Sequence, residues 1–129
     1  MSKLDKESVI GIAALLVHAA NIDENYSDHE RKLVKEFIKS YLKEENQDEI
    51  LKKAEEIEKN SNQLLNYTNI IKQNSLEIKK DIIEHLWKVL ISDNTVDQYE
   101  SNLMRRICGL IYFSDKECAE IKLNLLKSI

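Results

Sequence analysis

The sequence runs to 129 residues with no proline and two glycines, and 33% of it is charged against 43% hydrophobic. That length suits one domain, residues 1–129, able to bury about two thirds of its unfolded surface, and the shortage of turn formers beside abundant Lys, Glu, Leu and Ile excludes a hairpin-built sheet and predicts an all-α protein. A net charge of -4, from 23 acidic and 19 basic residues spread along the chain, leaves no basic patch for a phosphate backbone and excludes nucleic acid as a partner.

Residues 4 to 21 predict a first helix carrying Val9, Ile10, Ile12, Ala13, Leu15, Leu16, Val17, Ala19 and Ala20, apolar on nearly every face, as expected of a helix surrounded by its neighbours. Its longest apolar run, Val9 to Val17, is about half of the ~20 residues that span a bilayer, and MSKLDKES has no signal-peptide layout, so a cytoplasmic protein is expected. His18 interrupts the run and reads as a partly buried histidine satisfied by a backbone carbonyl, since no nucleophile sits near it in sequence. A second helix from Ser27 or Asp28 to about Leu42 turns Leu33, Val34, Phe37, Ile38 and Tyr41 inward.

The third helix, about 47 to 59, places Ile50, Leu51, Ala54 and Ile57 on one stripe and leaves Lys52, Lys53, Glu55, Glu56 and Lys59 to water. A fourth, about 62 to 72, offers Leu64, Leu65, Thr68 and Ile71. Asn74 with Glu77 has capping-box spacing and opens a fifth helix through Leu76, Ile78, Ile82, Ile83, Leu86, Trp87 and Leu90. A sixth runs from about Asp97 to Tyr112, and Ser114 with Glu117 caps a seventh carrying Cys118, Ile121, Leu125 and Leu126. Cys108 and Cys118 read as buried small hydrophobes: neither has a His or Cys at metal-ligand spacing, and a reducing cytosol disfavours a disulfide.

A shift of 70 residues lays Val17 on Trp87, Ala20 on Leu90, Asp23 on Asp93, Glu30 on Glu100, Leu33 on Leu103, Val34 on Met104 and Phe37 on Ile107. Both the apolar face and two acidic positions repeat, which points to an internal duplication of helix-turn-helix halves within a seven-helix bundle, with the first helix packed on the fifth.

Each half then carries an acidic turn. Asp23, Asp28 and Glu30 in the first, and Asp93, Asp97 and Glu100 in the second, offer hard oxygen ligands of the kind calcium or magnesium takes. They do not form an EF-hand, which requires glycine and glutamate where counting from Asp93 finds Gln98 and Met104. The competing reading is local: Ser27 with Glu30, and Asp97 with Glu100, stand as N-cap and N3, and acidic groups there complement the helix dipole by roughly 0.3 to 1 kcal/mol. Asp23 and Asp93 are what capping leaves unexplained.

ANIDENYSDHE at 20–30 and LWKVLISDNTVDQYE at 86–100 resemble the two halves of the TerB-like family, named for bacterial tellurite resistance. Its hallmark, Asp-Gly-x-hydrophobic-x-x-x-Glu, is matched at Asp23, Tyr26 and Glu30 and again at Asp93, Val96 and Glu100, and Arg105, Arg106 and the Ser114 to Glu117 run also look like stand-alone bacterial members. Glu24 and Asn94 replace the glycine; Asn tolerates a left-handed backbone better than Glu, so the second turn is the better ligand candidate. The resemblance implies an all-helical bundle whose acidic clusters bind divalent metal in a stress-response setting. The alternative is an adaptor or co-chaperone-type domain whose turns are only caps and whose surface recruits a protein partner. Neither an enzyme nor an organic cofactor is expected, because no nucleophile is paired with a base and no glycine loop cradles a phosphate.

Overall fold

The computed structural model describes residues 5–21, 28–43, 45–60, 65–91 and 98–127. They form seven helices, and no strand occurs among them: α1 (Lys6–Ala20), α2 (Asp28–Tyr41), α3 (Gln47–Asn60), α4 (Leu65–Lys72), α5 (Leu76–Leu90), α6 (Gln98–Leu110) and α7 (Asp115–Lys127). The all-α expectation is met element by element.

Short polar side chains start the helices by taking up backbone N–H groups that have no partner in the first turn. Asp5 accepts from the Ser8 N–H at 2.7 Å, Asn46 from Asp48 and Glu49 at 3.0 and 3.3 Å, and Ser114 from Glu117 at 3.4 Å. The α5 cap corrects the sequence reading. Ser75, not Asn74, accepts from the Ile78 N–H at 3.4 Å, while Asn74 turns back and donates to the Ile70 carbonyl at 2.6 Å, closing α4.

The end of α6 is more demanding. The Phe113 N–H donates to the Cys108 carbonyl at 2.8 Å and the Tyr112 N–H to that of Gly109 at 3.4 Å, the paired bonds of a Schellman turn. Such a turn needs a left-handed residue, and here it is Tyr112, at φ 58° and largely exposed. Tyr112 was expected inside the helix; it ends it.

α1 is the axis of the core. Ten of its residues, from Val9 to Ala20, are buried, and it lies against α2, α3, α4 and α5, which is why it is apolar on every face. Each fully buried Val, Ile or Leu side chain here contributes roughly 1.5 to 3 kcal/mol. Gly11 permits a close approach: a Cβ built on it would lie 2.8 Å from Ile70 Cδ1 on α4.

The duplication is visible in burial. Val34 and Met104, Phe37 and Ile107, and Ile38 and Cys108 are paired by the 70-residue shift, and all six are buried. It also extends further than the sequence suggested: α3 packs on α1 and α2 as α7 packs on α5 and α6, leaving α4 without a counterpart. As expected, α1 lies on α5; among the described residues, α5 packs on α1 and α7 more extensively than on α6. The Trp87 indole N–H fixes that second three-helix unit by donating to the Cys118 carbonyl at 3.2 Å.

Three apolar positions depart from expectation. Ile57 and Leu126 lie near the ends of their helices, where neighbours give out, and Leu76 begins α5; all three are exposed.

Candidate functional site

The end of α1, the start of α2 and the last turns of α3 meet around an open hollow of about 480 Å³, lined by Val17, Asn21, Asp28, Arg31, Glu55, Glu58 and Lys59. Asn21 caps α1, its backbone N–H reaching the Val17 and His18 carbonyls at 3.0 and 3.2 Å, which directs its side chain toward α3. There Asn21 Nδ2 donates to Glu58 Oε1 at 3.2 Å, and His18 Nδ1 lies 3.4 Å from Glu58 Oε2. The partly buried histidine is therefore engaged by a carboxylate, not by the backbone carbonyl that its local sequence suggested.

On the opposite wall Arg31 Nε lies 3.2 Å from Glu55 Oε2, close enough for coulombic attraction but without the alignment of a hydrogen bond. Glu55, assigned to water by the periodicity of α3, is turned toward α2 instead. Three carboxylates, Asp28, Glu55 and Glu58, thus face Arg31 and Lys59.

The six residues proposed as ligands are placed unequally. Asp28 and Glu30 lie in the first turn of α2, Asp28 exposed and Glu30 8% exposed. Asp23, Asp93 and Asp97 lie outside the described residues, as do Ser27, Glu24 and Asn94; Glu100 belongs to the first turn of α6, and its side chain too is outside the described set. The structure therefore does not bring the six together or separate them. Among the described residues, no group of three or more His, Cys, Asp and Glu side chains is arranged to hold a metal ion. Asp28 and Glu30 supply hard oxygens suited to calcium or magnesium, but two carboxylates fall short of the six to eight ligands calcium takes.

Glu30 is the one buried acidic residue among the described residues. It is engaged within the protein, at the positive end of the α2 dipole where an anion is favoured. The sequence could not announce the supporting pair of His18 and Glu58, because forty residues separate them and nothing local marks their meeting.

No helix among the described residues is long and apolar enough to cross a membrane. A family model described as tellurite resistance protein TerB matches residues 9–123. No curated protein and no solved structure matches the chain.

Proposed function

Since the chain belongs to the TerB family of tellurite resistance proteins, we propose that it acts without catalysing a reaction, as a divalent-cation-binding protein of tellurite or stress resistance. Asp23, Asp28 and Glu30 would serve the first acidic turn and Asp93, Asp97 and Glu100 the second. What supports this reading is family membership together with Asp28 and Glu30 standing as two oxygen donors in the first turn of α2, at the first of the two acidic turns. A bound calcium or magnesium ion would supply positive charge to those oxygens. In a chain that binds the ion only when folded, this stabilises the fold by about 2.7 kcal/mol at a hundredfold excess over Kd.

The test is calorimetric titration with calcium and magnesium, paired with thermal unfolding. The unmodified chain gains melting temperature with added metal; Glu30→Gln and Asp93→Asn each diminish that gain. Absence of heat and of thermal stabilisation at millimolar metal rejects the reading.

A second reading, the metal-independent adaptor, has an observation of its own. Leu123 and Leu126 on α7 and Tyr112 in the turn before it are exposed large side chains, and apolar surface of this kind supports protein recognition. Under it, a partner recovered from host lysate is retained with chelator present and lost on Leu123→Glu. Recovery that depends on calcium and is indifferent to Leu123→Glu rejects it.

A further inference from the structure

α7 is covered less completely than its counterpart in the first half. It packs on α5 and α6 as α3 packs on α1 and α2, yet α3 buries Ile50, Leu51 and Ala54 where α7 buries only Cys118. Part of what α7 leaves outside is apolar. Ala119, Leu123 and Leu126 stand at i, i+4 and i+7, and all three are exposed, Leu123 by 54%. Side chains at that spacing share one face of a helix, so they form a continuous strip and not the scattered apolar residues that any protein surface carries.

Charge along the same helix is divided. Residues 115–120 hold Asp115, Glu117 and Glu120 against Lys116, whereas residues 121–127 hold Lys122 and Lys127 and no acid. Glu117 is already taken by Lys80, at 3.5 Å, and the Lys122 ammonium stands 5.3 Å from the centre of the Trp87 ring. Glu120 and Lys127 are exposed, and among the described residues neither is in an ion pair. With Leu123 between them they occupy i, i+3 and i+7, a single stripe beside the apolar strip. A partner for this face must therefore offer apolar side chains in the middle, a cation opposite Glu120 and an anion opposite Lys127. A second α7, run antiparallel about a two-fold axis at Leu123, meets each of these demands. It sets Leu123 beside its own copy and brings Glu120 against Lys127 of the second copy, twice, which is the self-complementarity that a two-fold interface requires. A parallel pair would instead oppose Glu120 to Glu120 and Lys127 to Lys127.

We propose that α7 is a homodimer surface, on which two copies of the chain pair antiparallel through Ala119, Leu123 and Leu126 and are held in register by reciprocal Glu120 to Lys127 ion pairs. The inference rests on the reading of α7 as a protein-recognition surface and names its occupant as the chain itself. A helix of 13 residues is about 20 Å long. A contact this short falls below the ~1,200 to 2,000 Å² buried in stable complexes, so the dimer is a weak one that forms and separates with concentration.

The experiment is sedimentation equilibrium of the full chain from micromolar to near-millimolar concentration, with circular dichroism to show that each variant is folded. Support is an apparent mass that rises from one chain toward two. Leu123→Glu, which puts two carboxylates on the axis, weakens association by about tenfold or more. Glu120→Lys and Lys127→Glu each weaken it by roughly threefold to tenfold at low salt, since each replaces two attractions by two repulsions. The chain carrying both charge substitutions regains the affinity of the unmodified one, because the reciprocal pairs return with their signs exchanged. A single-chain mass at every concentration overturns the proposal, as does a dimer indifferent to Leu123→Glu. A doubly substituted chain as weak as either single variant overturns the antiparallel register. Capture from host lysate separates this from the adaptor reading: a monomer that still loses a lysate protein on Leu123→Glu rejects the dimer alone, and a Leu123-dependent dimer with no lysate protein retained rejects the outside partner alone.

Discussion

Gly11→Ala is a test of how α1 and α4 meet. Replacing a mid-helix glycine by alanine in an unobstructed helix stabilises by about 1 kcal/mol. Here the new methyl would stand 2.8 Å from Ile70 Cδ1, well inside ordinary contact distance, and Ile70 must move its terminal methyl. Ile70 is only partly buried, so it has room to turn, at a cost of about 0.5 to 1.5 kcal/mol if it leaves its preferred rotamer. The two effects nearly cancel, and Gly11→Ala alone is expected to change stability by less than about 0.5 kcal/mol. Ile70→Val deletes the obstructing methyl. In that background Gly11→Ala should recover its full gain of about 1 kcal/mol, giving a coupling between the two sites of roughly 0.5 to 1.5 kcal/mol. Urea unfolding of the four proteins, followed by circular dichroism, measures the cycle. Equal effects of Gly11→Ala in both backgrounds would show that the close approach is not what the glycine serves.

Tyr112→Asn relieves a left-handed residue, worth about 1 to 2 kcal/mol, but loses the Lys72 ammonium 4.6 Å from the Tyr112 ring, worth about 0.5 to 1 kcal/mol at an exposed site. A net gain of up to about 1.5 kcal/mol in the same assay is expected, and a loss would refute the strain. Tyr41 donates to Asp81 Oδ2 at 2.5 Å, and its burial, then that carboxylate, pushes the phenol above its usual range. The folded chain therefore keeps a proton that the unfolded chain releases near pH ~10, so stability is full below that pH and falls as pH rises above it. Urea midpoints across that range should fall less steeply in Tyr41→Phe; parallel curves would dismiss the linkage. Ser75→Ala removes the α5 cap and should cost about 1 kcal/mol, with an unchanged urea midpoint counting against it.

Helix periodicity made the core legible. Val34, Phe37 and Ile38, and Ile82, Ile83 and Leu86, were expected inside and are buried, because a repeating stripe reports which face meets the other helices. The same stripe misplaced Ile57 and Leu76, since spacing does not say how far a neighbouring helix extends. It misplaced Glu55 for a related reason: its partner Arg31 sits on another helix, and only the packing of α2 on α3 brings them together. The α5 cap failed over one residue, Asn74 or Ser75, both of which can accept from a helix start. Of the candidate ligands, adjacency in sequence placed Asp28 and Glu30 together in one turn, but nothing in it disclosed that one would face water and the other would not. Cys108 and Cys118, read as buried small hydrophobes, are both buried.

The central position of α1 bears on how the chain emerges during synthesis. α1 is made before the helices that cover it, and part of its surface waits for α4 and α5, the latter ending at Leu90. At synthesis rates of about 5 to 20 residues per second, the seventy residues after Ala20 take on the order of 4 to 14 seconds to appear. For that interval the face of α1 that α4 and α5 will cover stays open, while α2 and α3 are made earlier and can cover the rest.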